Sequence, residues 1–342
     1  MDFQLSDDQR ALRSGMRDLL GAVFGRDRMR EAVERGGAVD RGLWHELGAA
    51  GFFALRLPEE AGGVGLGLPE AVLLFEEAGR ALLPGPLVAT HLAAGLVKGA
   101  AEGEAVVTVA EGGGRPVADL GGADAVLVDG GALTGEGYGA GGPGRVLTGE
   151  ALAAFVAAAR PVRSMDPLTP LHQVEGEVEG QGLAGATEAY PGALRREGAL
   201  LTAAEQLGSA ARTTEMAVQH ARTRQQFGSL IGSFQAVKHL CADMLARTEP
   251  ARSALYAAAL TADPVEIAAA KLLADEAAVR NARDCLQIHG GMGFTWEADV
   301  HLHLKRAWLR AARWLTAAEA EEVLAADLAP VRPLYGGSAV RG

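Results

Sequence analysis

The spacing of apolar residues divides the chain into two helical regions separated by a β-like region. Near the start, apolar side chains such as Leu12 and Met16 recur at helical spacing behind Ser6 and Gln9, which have the spacing of a capping box. In the middle of the chain, short apolar runs bounded by glycines replace the helical spacing. A strong helical period returns after Pro191. The pattern therefore predicts helices, then a small sheet, then helices again.

The predicted fold is mostly α with a small β middle domain. Alanine-rich faces in the last region allow close helix approach, which is typical of a bundle. A glycine-rich loop, Leu57–Gly65, is predicted to connect helices of the first region. The predicted units are an N-terminal helical domain (1–100), a reduced β middle domain (101–188), a C-terminal four-helix bundle (189–328) and a loose tail (329–342).

The β signal of the middle region is short and interrupted. Ala105–Ala110 and Ala125–Val128 are apolar runs of strand length, and Gln173–Glu179 is a third β-like stretch. Between them, Gly130–Gly144 is nearly all glycine and polar residues, which predicts a loop or a tight hairpin. A small sheet is expected.

Composition narrows the classes of partner. The chain has 342 residues and a net charge of −11, which disfavours nucleic acid or an anionic membrane as the main partner. Its two cysteines, Cys241 and Cys285, do not make a disulfide framework. Acidic residues near the N-terminus do not fit a signal peptide, and no apolar run has membrane-spanning length. The cytoplasm is the expected location.

Two motifs in the C-terminal region contain groups that would suit a dinucleotide. One is Arg224–Gly228, followed by Phe234 and Gln235, and the other is Gln287–Gly293. A diphosphate needs an arginine or closely approaching backbone amides, and Arg224 and the Gly290-Gly291 pair supply these. Flat apolar surface for an adenine or ribose comes from Phe227 and Phe234. Two glutamines can both donate and accept hydrogen bonds to a purine or ribose: Gln235 and Gln287.

Together these motifs resemble the C-terminal domain of acyl-CoA dehydrogenases, and the predicted order of domains matches that family. The resemblance implies FAD, an acyl thioester carried by CoA or a carrier protein, α,β-dehydrogenation, and an electron-transfer flavoprotein as acceptor. It also implies that the motif residues hold the ADP half of FAD across a subunit interface. His289 is expected to line the adenine or the interface, and no metal site is predicted.

The resemblance also locates the expected proton-abstracting base. In most of the family this is a glutamate downstream of the second motif, and an ungapped count from Gly290-Gly291 places Trp314 there. A register slip by one residue would give Arg313 or Leu315. None of these can act as the base. Glu319 lies further on and is expected on a solvated helix face.

A minority of the family places the base in an earlier helix. Counting back from Leu207-Gly208 reaches Gly198, and its neighbour Glu197 lies about 100° away around a helix. Glu197 is therefore a candidate base only if the helix starts differently here. The run Arg195–Gly198 otherwise indicates a charged helix start.

The middle region also lacks the family's flavin-packing strands. Thr108–Gly113 is the nearest remnant, without the proline or the Ser-Asp pair of the family pattern. The chain thus keeps groups for the adenine end of FAD and lacks those for its reactive end. The preferred hypothesis is the base-lacking subunit of a heteromeric enzyme, a heterodimer or heterotetramer with a related subunit. The alternatives are a homodimeric or homotetrameric enzyme with Glu197 as base, and a non-redox thioester-binding scaffold.

Overall fold

A computed structural model describes most of the chain, and helices dominate it on either side of a small β region. This arrangement confirms the predicted fold class. The described residues are 4–111, 114–128, 144–174, 188–190 and 194–328.

The N-terminal region consists of short amphipathic helices around an aromatic core. Ser6 and Gln9 form the predicted capping box at the first helix. Trp44, Phe53 and Phe52 pack ring against ring in the buried core of this region. The helices are α1 (Asp7–Val23), α2 (Arg26–Glu34), α3 (Arg41–Ala49), α4 (Leu68–Arg80) and α5 (Leu87–Leu92). The predicted glycine-rich loop connects α3 to α4.

The middle region contains two small sheets and one helix. The first sheet has the order β1-β3-β4-β7, in which β1 and β3 are parallel and the other pairs antiparallel. Its strands are β1 (Val107–Ala110), β3 (Ala125–Val128), β4 (Gly144–Leu147) and β7 (Glu188–Tyr190). The second sheet, antiparallel throughout, has the order β2-β6-β5. It comprises β2 (Val117–Ala118), β5 (Ala159–Val162) and β6 (Leu171–Val174), and α6 is Gly149–Ala157.

Three sequence predictions fall mostly outside the described residues. They are the loop Gly130–Gly144, of which only Gly144 is described, the end of the run Gln173–Glu179, and the tail 329–342.

Long helices form the C-terminal region. Its elements are α7 (Leu194–Thr223), the hairpin strands β8 (Gln225–Gln226) and β9 (Ser229–Leu230), α8 (Gln235–Thr261), α9 (Pro264–His289), α10 (Val300–Ala311) and α11 (Ala317–Leu328). Where the sequence predicted four helices, the described residues give three long ones and two of 12 residues. The two shorter helices are separate because Trp314, between them, adopts a left-handed conformation with φ of 63°.

Two glycines bring the N-terminal and C-terminal regions into close contact. A Cβ on Gly208 of α7 would lie 1.8 Å from the carbonyl oxygen of Glu76 in α4. A Cβ on Gly79 of α4 would lie 2.0 Å from the carbonyl oxygen of Glu205 in α7. The backbones of α4 and α7 therefore meet at a crossing that side chains would block. Across the part of the chain that the structure describes, no helix is both long and apolar enough to cross a bilayer.

Candidate functional site

The first sequence motif forms a tight hairpin at the end of α7. The backbone N–H of Arg224 donates to the carbonyl of His220 at 2.9 Å, and the N–H of Ile231 donates to the carbonyl of Arg224 at 2.8 Å. Strands β8 and β9 pair across a two-residue turn, Phe227-Gly228. Arg224 lies at the base of this hairpin and is exposed to solvent.

The hairpin turn holds Phe227 in an unfavourable backbone conformation. Phe227 and Gly228 both have positive φ, 52° and 75°, as in a type I′ turn. Asparagine or glycine is favoured at the first of these positions, and a bulky residue there is strained. The Phe227 side chain is nevertheless 93% exposed, and its ring centroid lies 6.3 Å from that of Phe234 in an edge-to-face arrangement. Such strain at an exposed aromatic ring is typical of a ligand contact.

The second motif lies at the end of α9 and leaves its backbone open. Gly290 has φ of 59°, and a short 3₁₀ turn, Gly290–Phe294, follows it. A Cβ built on Gly290 or Gly291 would meet no atom within 4 Å, so a ligand could approach the backbone there. Gln287 and Gln235 are both exposed. These glycines and glutamines have no packing role in the described structure that would account for them.

A contact between histidines joins the two motifs. The rings of His220 and His289 stack with centroids 4.1 Å apart and an interplanar angle of 17°. Beneath them, a separate apolar core that includes Ile231, Cys285 and Leu286 fixes the ends of α7 and α9. All seven predicted cofactor-binding residues therefore belong to one end of the bundle. We call the surface that they form the motif surface: Arg224, Phe227, Phe234, Gln235, Gln287, Gly290 and Gly291.

Further exposed apolar side chains lie next to the motif surface along the chain. Phe294 is 82% exposed, and Trp296 and Met292 are exposed beside it along the chain. Asp299, which pairs with Arg26 at 2.6 Å and with Arg30, anchors this segment to α2. A cluster of fixed, exposed aromatic residues indicates a binding surface.

Trp314, at the position expected for the base, is buried against Gly198. A Cβ on Gly198 would lie 2.2 Å from Cε3 of the indole, and Trp314 is only 3% exposed. Its backbone N–H donates to the carboxylate of Glu111, and its carbonyl accepts from Nε of Arg195 at 2.9 Å. The two positions that the counts along the sequence reached thus touch each other here, and neither carries a carboxylate.

Glu197, the other candidate base, points toward the N-terminal region. It lies in the first turn of α7, as the charged helix start predicts. Its Oε2 atom is 2.6 Å from Nη1 of Arg56. The geometry gives the carboxylate an ion-pairing partner and places no reacting group beside it.

Glu319 does not lie on a solvated face, which corrects the sequence expectation. Its carboxylate accepts hydrogen bonds from the backbone and hydroxyl of Thr316, both at 2.8 Å, and pairs with Arg195 at 2.6 Å and with Arg115 at 2.9 Å. Burial alone would raise the pKa of Glu319, but these hydrogen bonds and positive charges lower it to about 2. The residue therefore caps α11 and ties it to α7.

A small, highly charged cavity lies beside Trp314. Its volume is about 60 Å³. Two of the arginines in its wall form buried pairs, Arg310 with Glu205 at 2.7 Å and Arg306 with Asp166. Burial raises the pKa of Asp119 to about 7 despite the nearby charge of Arg306. The charged residues of the wall are Asp119, Glu205, Arg306, Arg310 and Arg313.

Sequence reasoning missed these buried ionic partners. Glu111, which lies in the remnant motif Thr108–Gly113, pairs with Arg313 and accepts a hydrogen bond from the backbone N–H of Trp314. Burial acts to raise the pKa of Glu111, but Arg313 lowers it overall. No local pattern signalled this pair, because Glu111 and Arg313 are 202 residues apart in the chain. In the described residues, no group of three or more metal-ligating side chains is placed to hold a metal ion.

Comparison with known proteins identifies the family. Two family models match the chain, "Acyl-CoA dehydrogenase, N-terminal domain" over residues 6–102 and "Acyl-CoA dehydrogenase, C-terminal domain" over residues 194–329. Acyl-CoA dehydrogenase IpdE2 of Mycobacterium tuberculosis is 34% identical over 319 residues, covering 88% of this chain and 91% of IpdE2. The chain belongs to the acyl-CoA dehydrogenase family. The predicted resemblance is confirmed, and with it membership of a family of FAD-dependent oxidoreductases.

A second curated relative is longer than this chain, and two solved structures share its fold. FadE34 of M. tuberculosis is 35% identical over 86% of this chain, but the match covers only 45% of FadE34. The structure of the M. tuberculosis ChsE4-ChsE5 complex superimposes with a TM-score of 0.78 at 24% identity, over 96% of this chain and 99% of that one. A structure of PigA with FAD and proline gives a TM-score of 0.78 at 20% identity, over 96% and 99%. These two structural matches establish the fold.

Proposed function

We propose that this chain is a subunit of a heteromeric, FAD-dependent acyl-CoA dehydrogenase. In this proposal its motif surface completes the ADP half of a FAD site whose reactive end lies in a related subunit. That subunit carries the glutamate that removes the α proton of the acyl thioester. The chain itself binds and orients the cofactor.

The contact between Trp314 and Gly198 carries this proposal. Dehydrogenation of an acyl thioester needs a base within reach of the α proton. An indole and a glycine cannot serve, and the indole fills the space between the two positions where the family's glutamate is expected. The left-handed backbone of Trp314, held by Glu111 and Arg195, keeps it there.

The cavity beside Trp314 is also poorly suited to an acyl chain. Pockets for ligands of drug size usually measure about 300–1,000 Å³ and are mostly apolar. Here the volume is about 60 Å³, and the wall contains paired arginines and carboxylates. Placing an acyl chain or a flavin ring there would break ion pairs such as Arg310–Glu205. The described residues do not fit the reactive end of FAD.

The motif surface, in contrast, fits the ADP end. Arg224 and the open backbone at Gly290 and Gly291 suit the diphosphate, and the exposed rings of Phe227 and Phe234 suit an adenine or ribose. When bound, FAD supplies the acceptor for the hydride that leaves the β carbon. This chain's part is to hold the far end of the cofactor and to exclude water from it.

Two relatives support a two-subunit arrangement. ChsE4-ChsE5 is a complex of two differently named chains that shares this fold. The match to FadE34 leaves more than half of that protein uncovered, which is room for a second unit of similar size. Both facts fit a chain that works beside a related one. We infer an acyl thioester of CoA or a carrier protein as substrate, an electron-transfer flavoprotein as acceptor, and a cytoplasmic location.

Variants of the co-expressed complex test the motif surface. Arg224→Ala in a complex with a related, glutamate-bearing chain is expected to lower FAD occupancy, read from absorbance of the flavin per complex. Arg280, which pairs with Glu276 on the surface of α9, provides the matched control as Arg280→Ala. Equal FAD occupancy in both variants would contradict the proposed ADP site.

The homo-oligomeric alternative rests on Glu197, and the structure supports it less well. The carboxylate faces Arg56 rather than the cavity beside Trp314. Glu197→Gln in an active preparation of this chain alone separates the alternatives, because a loss of turnover would assign the base to Glu197. The scaffold alternative would be favoured if neither this chain nor its complex reduced a bound flavin with an acyl thioester.

A further inference from the structure

Two stacked imidazoles lie where the motifs meet, and the family motifs assign them no role in binding phosphate. His220 is in the last turn of α7, and His289 ends α9. Nδ1 of His289 lies 2.8 Å from the carbonyl oxygen of Cys285. Because a carbonyl only accepts, this nitrogen carries a proton and donates. Nε2 is therefore the nitrogen of His289 that remains for a ligand.

The pair is close to the groups proposed to bind the diphosphate. The carbonyl of His220 accepts from the N–H of Arg224 at 2.9 Å, and His289 immediately precedes Gly290 and Gly291. The stacked rings therefore join the helix end that carries Arg224 to the helix end that carries the open glycine backbone. Both rings are partly exposed, so a ligand on the motif surface can reach them.

The surroundings of the pair favour an anion. Burial lowers the pKa of His220, and electrostatic repulsion from His289 and Arg224 lowers it further. On α9, the other titratable neighbour is the Cys285 thiol, 3.6 Å from Nδ1 of His289, and burial raises its pKa to about 12. No carboxylate pairs with either imidazole in the described part of the chain. The local charge is therefore positive and uncompensated.

We propose that His220 and His289 join Arg224 in binding the diphosphate of the dinucleotide, and that His220 takes up one proton as the anion binds. This inference rests on the proposed ADP site. It adds two binding residues and makes the grip on the cofactor dependent on pH.

The sign of this dependence follows from linkage. A bound anion favours the charged form of His220 and raises its pKa. Between the free and bound pKa values, binding takes up a proton, so affinity falls as pH rises. Below both pKa values, each unit by which the anion raises the pKa of His220 corresponds to about tenfold higher affinity for the anion. We expect an increase of about one unit, and tighter binding at pH 6 than at pH 8.

Histidine NMR on the full chain measures this directly. The probe is ADP-ribose at millimolar concentration, because its diphosphate is doubly esterified and does not titrate near neutral pH. ADP-ribose is expected to raise the pKa of His220 and to leave that of His45, an exposed residue on α3, unchanged. ADP-ribose that shifts signals of the hairpin without changing the pKa of His220 would overturn the inference.

A variant pair gives a second readout. His220→Gln is expected to bind ADP-ribose about three- to fivefold more weakly than the wild type at pH 6, which lies between the free and bound pKa values, and equally well at pH 8. His45→Gln should match the wild type at both pH values. Wild-type affinity that is independent of pH would overturn this inference and leave the ADP site intact. Failure of the wild type to bind ADP-ribose at all would instead contradict the proposed function.

Discussion

Trp314 and Gly198 form a complementary pair, in which the missing side chain of one makes room for the indole of the other. Separate counts along the sequence, from motifs on different elements, reached these two residues as the family's base positions. The structure brings the two positions into contact. The sequence could not show where Glu197 points, because its partner Arg56 is 141 residues away and nothing in the local pattern links them.

Gly198→Ala is expected to destabilise the fold by about 1–3 kcal/mol, because the new methyl group would overlap the indole. Trp314→Ala should cost about 3–5 kcal/mol by leaving a cavity. In the double variant the methyl group no longer meets the ring, so the two costs should not add. Urea unfolding of the wild type, the two single variants and the double variant gives the four free energies of unfolding. Strict additivity of the two changes would show that the residues do not interact.

Phe227→Asn is expected to stabilise the chain while weakening the cofactor site. Asparagine adopts the left-handed conformation that a type I′ turn requires, which relieves about 1 kcal/mol of strain. The variant also loses the exposed ring, so FAD occupancy of the heteromeric complex should fall. The two measurements are thermal unfolding of the chain and flavin absorbance of the complex. A variant with unchanged FAD occupancy would assign Phe227 a role other than cofactor contact.

At the scale of elements, Arg306 ties the three regions together. From α10 it pairs with Asp166, which follows β5, and its Nη1 donates to the carbonyl of Leu83 at 3.1 Å, between α4 and α5. Helices and their order could be predicted because their apolar period is local. The ionic ties between elements could not, since they depend on packing between distant parts of the chain.

Arg306→Met is therefore expected to lower the free energy of unfolding by about 3–5 kcal/mol, because it leaves the buried Asp166 carboxylate without its ion-pair partner. The matched control is Arg280→Met on α9, where the ion pair with Glu276 is 3.2 Å long and solvent-exposed. That change should alter stability by no more than about 1 kcal/mol. Equal effects on urea unfolding would mean that Arg306 does not hold the regions together.

At the scale of the whole molecule, the buried carboxyl of Asp119 makes stability depend on pH near neutrality. Asp119 lies in the charged cavity and has a folded-state pKa of about 7. In the unfolded chain it loses its proton near pH 4, whereas the folded protein holds that proton until about pH 7. This group's contribution to stability is thus lost as pH rises through that range.

Asp119→Asn removes this titration. Asparagine also tolerates the φ of 57° at this position. The gain in stability from the substitution should be larger at pH 8 than at pH 5, by roughly 2–3 kcal/mol. Urea unfolding at both pH values measures this difference. His91 and His303 titrate identically in the two proteins, so their contributions cancel in the comparison. A gain that is equal at pH 5 and pH 8 would place the Asp119 pKa near its ordinary value.

The overall organisation was the easiest level to predict, since periodicity and two motifs sufficed for the fold class and the family. The contacts around Trp314, on which the proposed function rests, were harder to predict. They depend on the packing of the indole against Gly198 and on ion pairs such as Arg310–Glu205, whose partners are 105 residues apart.

The most direct test of this account is the flavin content of the chain purified alone. We expect colourless protein that yields a yellow, acyl-CoA-reducible complex only with a related, glutamate-bearing chain. Stoichiometric flavin in the chain alone, bleached by an acyl-CoA, would contradict the account, because the space beside Gly198 would then hold a working site.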